Sequence, residues 1–129
     1  MTLSVHTARI DYPGPSRLDV TRKSGATAFA PSWGIIMAAK RGHLSWPEYV
    51  DAYTAEMRQS YRENRPAWDA LLGGKRVVLC CVCKDPSRCH RTVLAKILTK
   101  LGAKNYGEIT EWDSTVEEPL FAGREDVRR

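Results

Sequence analysis

The chain has 129 residues, of which 43% are hydrophobic and 27% charged, and a formal net charge of +5. This composition excludes a disordered or fibrous chain, and the length fits one globular domain. No apolar run approaches the roughly 18 residues of a membrane-spanning helix, and the first ten residues lack the pattern of a secretory signal. We therefore expect a cytoplasmic protein that folds alone and has no membrane partner.

The charge is unevenly distributed along the chain. Residues 1–110 contain 17 Lys and Arg against 9 Asp and Glu, whereas residues 111–129 contain 3 against 6. A basic body favours anionic partners such as nucleotides, phosphorylated metabolites or nucleic acid, although an ordinary solvated surface gives the same count. We predict one domain over residues 1–110 and an acidic tail over residues 111–129 that wraps the surface or is mobile.

The first third of the chain predicts two strands and a short helix. Residues 3–10 are rich in β-branched side chains and are followed by turn formers, and residues 17–22 form a second short apolar-alternating segment. Ser32 is a candidate cap for a helix over residues 33–40. The first two elements are therefore expected to be strands that end in loops.

The segment Ser45-Trp46-Pro47-Glu48 is the clearest helix start in the chain, because it has the capping-box pattern with proline in the first turn. A helix is predicted over residues 46–62, and a shorter one from residue 64 to Leu72. The buried stripe of the longer helix is predicted to contain Tyr49, Val50, Tyr53, Met57 and Tyr61.

A strand, a polar turn and a helix follow one another over residues 77–102. Residues 77–82 are a continuous apolar run, which is typical of a strand covered on both faces in a parallel sheet with helices on each side. The apolar positions of residues 93–101 share one helical face, and residues 105–110 predict a last strand beside the central one. The whole pattern predicts a single-domain α/β fold with a mostly parallel central sheet flanked by helices.

The turn between this strand and helix gathers the reactive side chains. In open α/β sheets ligands bind at the carboxyl edge, and a helix start favours anions. Arg88 and Arg91 flank the helix start. They are candidates for binding a phosphate or a carboxylate, and the alternative is that they are solvated surface arginines. Cys89 is predicted near the first helical position, where the helix dipole lowers the pKa of a thiol. It is therefore a candidate nucleophile or redox-sensitive thiol. For Cys89 and for Cys81, the alternative is that the side chain only packs in the core.

Four cysteines crowded into ten positions are unlike a disulfide framework and predict reduced thiols. Cys81, Cys83, Cys89 and His90 carry the donor atoms that zinc prefers. Their spacing, C-x-C-x5-C-H, differs from the usual pair of knuckles, and neighbouring side chains on a helix diverge by about 100°. We therefore predict no metal ligands and no cofactor, and interpret Cys83 as a packing residue.

The turn resembles a known family, domain of unknown function 488. The resemblance rests on an apolar strand with Cys81, on Lys84-Asp85-Pro86, and on Cys89-His90-Arg91 at a helix start. It extends more loosely over residues 8–108, where residues 18–20 are similar to the family's L-D-V strand. It implies a single α/β domain with a site formed by the first two strand ends and the C-H-R helix, and it implies no known reaction.

Within that site, Asp19 is a candidate acid, base or ribose-hydroxyl acceptor, with a salt bridge to Arg17 or Arg22 as the alternative. His90 is a candidate for proton transfer or a residue that packs a helix start. Trp33 is a candidate for stacking a base, against a place in the core. The candidate catalytic residues are Cys81, Cys89, His90 and Asp19. The candidate ligand-binding residues are Lys84, Arg88, Arg91, Arg17, Arg22 and Trp33.

Three functions are consistent with these residues. The first is a binding or catalytic site around Cys89 for an anionic small molecule, phosphorylated or nucleotide-like, in a protein that is either a binding protein or a thiol-dependent enzyme. The second is a nucleic-acid-binding module that uses the basic body, although no nucleic-acid-reading motif is present. The third is a protein-interaction domain whose acidic tail docks on a basic surface. None of them fixes an oligomeric state.

Overall fold

A computed structural model describes residues 2–111 of the chain. The predicted acidic tail, apart from Glu111, lies outside the described residues. The described part contains four strands, four helices and two short 3-10 turns. The strands are β1 (Ser4–Arg9), β2 (Arg17–Asp19), β3 (Arg76–Cys81) and β4 (Lys104–Glu108). The helices are α1 (Trp33–Lys40), α2 (Trp46–Glu63), α3 (Arg65–Leu72) and α4 (His90–Lys100), and the 3-10 turns are Thr27–Phe29 and Pro86–Arg88.

The four strands form one parallel sheet in the order β2-β3-β1-β4. This confirms the predicted α/β fold. The pairing predicted for the last strand is wrong, because β4 pairs with β1 and not with β3. The strand β3 already has β2 and β1 as its two neighbours, so no hydrogen-bonding edge is left for β4.

The two faces of the sheet are covered differently. Val77, Leu79 and Cys81 of β3 belong to the main hydrophobic core, which also contains the buried side chains of α2, α3 and α4. Val78 and Cys80 face the other side, in a smaller cluster with Ala8 and Tyr12. The strand is buried on both faces, as predicted, but the second cluster consists of strand and loop residues within the described range.

The helices begin where the sequence indicates. Ser32 accepts a hydrogen bond from Ile35 N at the start of α1. At the start of α2 both bonds of the capping box form, since Glu48 N donates to Ser45 Oγ at 3.2 Å and Ser45 N donates to Glu48 Oε1 at 2.8 Å. The helix α4 ends before Gly102, whose φ of 111° is the left-handed backbone that glycine adopts most easily.

The helix α2 supports the end of the sheet at which α4 begins. Tyr53 of α2 is fully buried, and its hydroxyl donates to Phe29 O at 2.7 Å. Its ring lies 5.5 Å from the ring of His90, the first residue of α4. The packing of α2 therefore fixes the position of the helix start.

No helix within residues 2–111 has both the length and the apolar composition that a membrane span requires.

Candidate functional site

The candidate site lies at the carboxyl edge of the sheet, where β3 ends at Cys81 and α4 begins at His90. Cys89 precedes the helix and has extended backbone angles, φ −138° and ψ 143°. It is the N-cap residue and is not inside the helix. The expected 100° divergence between Cys89 and His90 therefore does not apply, because that angle holds only for two consecutive helical residues.

Three cysteine sulfurs converge at this edge. The Sγ atoms of Cys81, Cys83 and Cys89 all lie within 4.8 Å of one another, and those of Cys81 and Cys83 are 3.9 Å apart. Cys81 and Cys89 are buried, whereas Cys83 is half-buried. Cys83 thus belongs to the cluster, whereas the sequence interpretation favoured a packing role for it. Cys80 is buried on the opposite face of the sheet, apart from the other three.

Cys83 and Cys89 differ in how readily their thiols ionise. Hydrogen bonds from Cys81 and Cys89 stabilise the thiolate of Cys83 against the effect of burial, and they lower the pKa of Cys83 well below its ordinary value. The pKa of Cys89 is raised, because its hydrogen bonds to Cys81 and Cys83 favour the protonated form and burial adds to this. Of these two thiols, Cys83 therefore ionises more readily than Cys89.

His90 is fixed by both of its ring nitrogens. Its Nε2 lies 2.8 Å from the backbone oxygen of Val20, directly after β2, and its Nδ1 lies 3.8 Å from Cys81 Sγ. A carbonyl oxygen only accepts hydrogen bonds, so Nε2 carries the proton of the neutral ring. The lone pair of Nδ1 is consequently available to the thiol of Cys81.

Arg91 is fully buried and its guanidinium is occupied by protein groups. Its Nε and Nη2 donate to the two carboxylate oxygens of Glu108 at 3.1 and 2.8 Å, and its Nη1 donates to Cys83 O at 2.8 Å and to Cys89 Sγ at 3.3 Å. Burial opposes its charge, but the bonds to Glu108 and Cys89 raise the pKa of Arg91. Arg91 thus donates four hydrogen bonds to protein groups, and the bonds to Cys83 O and Cys89 Sγ hold the turn and the thiol in position.

Asp19 lies apart from the thiol cluster. In the parallel register it is paired with Cys80, which belongs to the opposite face of the sheet. Its carboxylate accepts hydrogen bonds from Thr21 N at 2.8 Å, from Thr21 Oγ1 at 2.6 Å and from Ser24 Oγ at 2.6 Å. These bonds organise the turn after β2, and within residues 2–111 Asp19 forms no ion pair.

The other candidate ligand-binding residues fall into two groups. Arg17 donates to Ile10 O at 2.6 Å, and Arg22 donates to Pro31 O at 2.9 Å and to Ala30 O at 3.2 Å, so both tie loops together. The second group is exposed and consists of Lys84, Arg88 and Trp33, of which Trp33 is 54% exposed at the start of α1.

Two residues outside the predicted set complete the edge. Glu108, at the end of β4, pairs with Arg91 and also accepts a hydrogen bond from Thr7 Oγ1 of β1 at 2.6 Å. Glu108 is the one acidic residue of the predicted last strand, and the rule that parallel strands end at one edge would have found it. A groove of about 220 Å³ lies beside Glu108 and Thr7. Its lining includes Thr7, Pro86, Ser87, Thr92, Asn105 and Glu108.

Together these features define a small parallel α/β protein with a cluster of thiols at the carboxyl edge of its sheet. The chain belongs to the family DUF488-N3a, described as the active DUF488-N3 subclade, whose model matches residues 5–102. This confirms the predicted membership of the domain of unknown function 488 family. The matched segment includes the three cysteines and Arg91 and ends before Glu108. No curated protein and no solved structure matches the chain.

Proposed function

We propose that the turn 82–88 and the start of α4 bind an anionic small molecule, phosphorylated or nucleotide-like. The observation that supports this best is a pair of exposed cations, Lys84 and Arg88, neither of which forms an ion pair with a residue in the range 2–111. They flank a helix start that has no acidic residue in its first turn and no side-chain cap. Such a start attracts anions through its dipole and its free N–H groups.

Arg91 has a positioning role in this proposal. Its bond to Cys83 O holds the beginning of the turn, and its pairing with Glu108 offsets the carboxylate that faces the neighbouring groove. The groove gives room for an uncharged part of the ligand, such as a sugar. The charged part then lies against Lys84 and Arg88.

The test is binding of AMP and of inorganic phosphate, measured by isothermal titration calorimetry. A variant with Lys84→Ala and Arg88→Ala is expected to bind AMP at least about tenfold more weakly than the parent, since one charge-assisted hydrogen bond contributes about 1.5–3 kcal/mol. The matched control is Lys23→Ala with Lys96→Ala, which removes two exposed lysines elsewhere on the surface. Equal affinity in the two variants, or no binding to the parent, contradicts the proposal.

The nucleic-acid alternative gives a different result in the same assay. That alternative is favoured if an oligonucleotide binds with an affinity that falls steeply as salt rises, and if AMP and phosphate do not bind. The catalytic roles of Cys81, Cys89, His90 and Asp19 stay predictions, and the present proposal does not depend on them.

A further inference from the structure

We propose that Cys81, Cys83, Cys89 and His90 form a zinc-binding site, with three thiolates and the Nδ1 atom of the histidine as ligands. This inference goes beyond the anion site and does not depend on it. Zinc binds thiolate and imidazole in four-coordinate tetrahedral sites, and a set of three cysteines and one histidine is a usual combination for a structural ion.

The distances between the sulfurs fit this geometry. With Zn–S bonds of about 2.3 Å and tetrahedral angles, two ligand sulfurs are separated by about 3.8 Å. The sulfurs of Cys81 and Cys83 are 3.9 Å apart, and all three Sγ atoms, including that of Cys89, lie within 4.8 Å of one another. The sulfur–sulfur distances therefore exceed the tetrahedral value by no more than about 1 Å, a difference that side-chain rotation can close.

The histidine is oriented in the way that metal-bound histidines are. A ligating imidazole usually donates its second N–H to a carbonyl or a carboxylate, which fixes the tautomer and the plane of the ring. His90 makes this bond from Nε2 to Val20 O at 2.8 Å. Its Nδ1, which then lacks a proton, is 3.8 Å from Cys81 Sγ. The donor atoms that lie within 4.8 Å of one another are the three sulfurs alone, so the ring has to move toward Cys83 and Cys89 to complete the shell.

The surrounding charges also fit an ion with three thiolates. Such a site has a net charge of −1, and the guanidinium of Arg91 donates to Cys89 Sγ at 3.3 Å. Arg91 is buried, so its positive charge acts on the sulfur with little screening by water. An N–H donor of this kind stabilises a metal-bound thiolate.

A zinc ion here would join the end of β3, the turn that follows it and the start of α4. Cys81 ends β3, Cys83 begins the turn, Cys89 caps α4, and His90 is anchored to Val20 after β2. The ion would thus hold in place the turn that carries Lys84 and Arg88. Because binding in a folded site stabilises the folded state, removal of zinc is expected to lower the melting temperature.

The experiment is metal analysis of the full chain, purified without an affinity tag under reducing conditions, followed by titration with Co²⁺. We expect about one zinc ion per chain, and tetrahedral thiolate-to-cobalt absorption bands when Co²⁺ replaces it. Cys83→Ser, which alters the one half-exposed ligand, is expected to weaken zinc binding by at least about tenfold. Cys80→Ala is the matched control, because Cys80 lies on the other face of the sheet, and it is expected to bind zinc as the parent does.

Three results would overturn the zinc site. One is a parent chain that purifies without metal and gives no cobalt bands with added Co²⁺. Another is a disulfide among the three cysteines that forms in the presence of zinc. The third is equal loss of metal in Cys83→Ser and Cys80→Ala. The variant with Lys84→Ala and Arg88→Ala keeps all four ligands, so it is expected to lose AMP binding and to retain zinc. A parent chain that binds zinc but not AMP contradicts the anion site alone, and one that binds AMP but not zinc contradicts this inference alone.

Discussion

Arg91 and Glu108 form the buried ion pair on which the geometry of the site depends. Arg91 has no exposed surface, and Glu108 is 16% exposed. Removal of one partner of a buried pair leaves an uncompensated charge, which costs about 3–5 kcal/mol when both are fully buried. We predict that Glu108→Gln lowers the free energy of unfolding by about 2–3 kcal/mol, less than that range because water reaches part of Glu108. Urea denaturation measures the change.

The exposed pair Arg65–Asp69 is the matched control for this prediction. Its atoms Nε and Oδ1 are 3.1 Å apart, but the two side chains are 54% and 63% exposed. Asp69→Asn is therefore expected to cost less than about 1 kcal/mol. If Glu108→Gln and Asp69→Asn destabilise the protein equally, the buried pair does not have the role assigned to it.

Single residues at the site show where sequence reasoning succeeds and where it stops. Cys81, Cys89 and Arg91 were singled out from one local pattern, and they do lie together. Cys83 was interpreted as packing because its spacing matched no known metal motif, yet the turn folds its sulfur back onto the cluster. Glu108 is 17 positions from Arg91, so a contact between them could be found only from the sheet topology.

At the scale of elements, the helix α2 has the strongest local signal. Ser45 and Glu48 form both bonds of the capping box. Loss of a side-chain N-cap costs about 1 kcal/mol, because a backbone N–H loses its partner. We predict that Ser45→Ala lowers the free energy of unfolding by about this amount, measured by urea denaturation.

Ser45→Asn serves as the control for the cap, because asparagine also caps helices well. It is expected to retain most of the stability of the parent. An equal loss in both variants would assign the effect to the hydroxyl group itself and not to capping.

Elements with local start and stop signals were predicted within one or two residues, and elements that depend on distant contacts were not. The helix α1 has the predicted bounds, and α2 ends at Glu63, one residue later than predicted. The strand β2 stops at Asp19, three residues early, because the Asp19 carboxylate binds Thr21 and Ser24 and turns the chain. The partner of β4 was missed because no local signal encodes strand order.

On the scale of the whole molecule, all four strands contribute to one edge. β1 supplies Thr7, β3 supplies Cys81 and β4 supplies Glu108, while Val20 directly follows β2. α4 connects these groups through His90 and its neighbour Arg91. The site is therefore a property of the complete sheet, and no single segment of the chain contains it.

Folding lowers the pKa values of three carboxylates, those of Asp19, Glu48 and Asp85, so the stability of the molecule is expected to fall in acid. Burial opposes ionisation of Asp19, but hydrogen bonds from Ser24 and Thr21 outweigh it and lower its pKa, and bonds from Ser45 lower the pKa of Glu48. A group whose pKa is depressed by folding stabilises the protein above its unfolded pKa. That stability is lost as the pH falls through the folded pKa. The loss should therefore begin near the ordinary values of 3.8 and 4.5 and continue below them.

This acid dependence can be assigned to Asp19 by comparing the free energy of unfolding at about pH 7 and about pH 3. Asp19→Asn, which cannot ionise, is expected to lose less stability between the two pH values than the parent does. Ser24→Ala keeps the carboxyl group but removes one of its donors, so its dependence should lie between those of the parent and Asp19→Asn. If the parent and Asp19→Asn lose the same amount, the hydrogen bonds at the end of β2 do not hold the carboxylate in its ionised form.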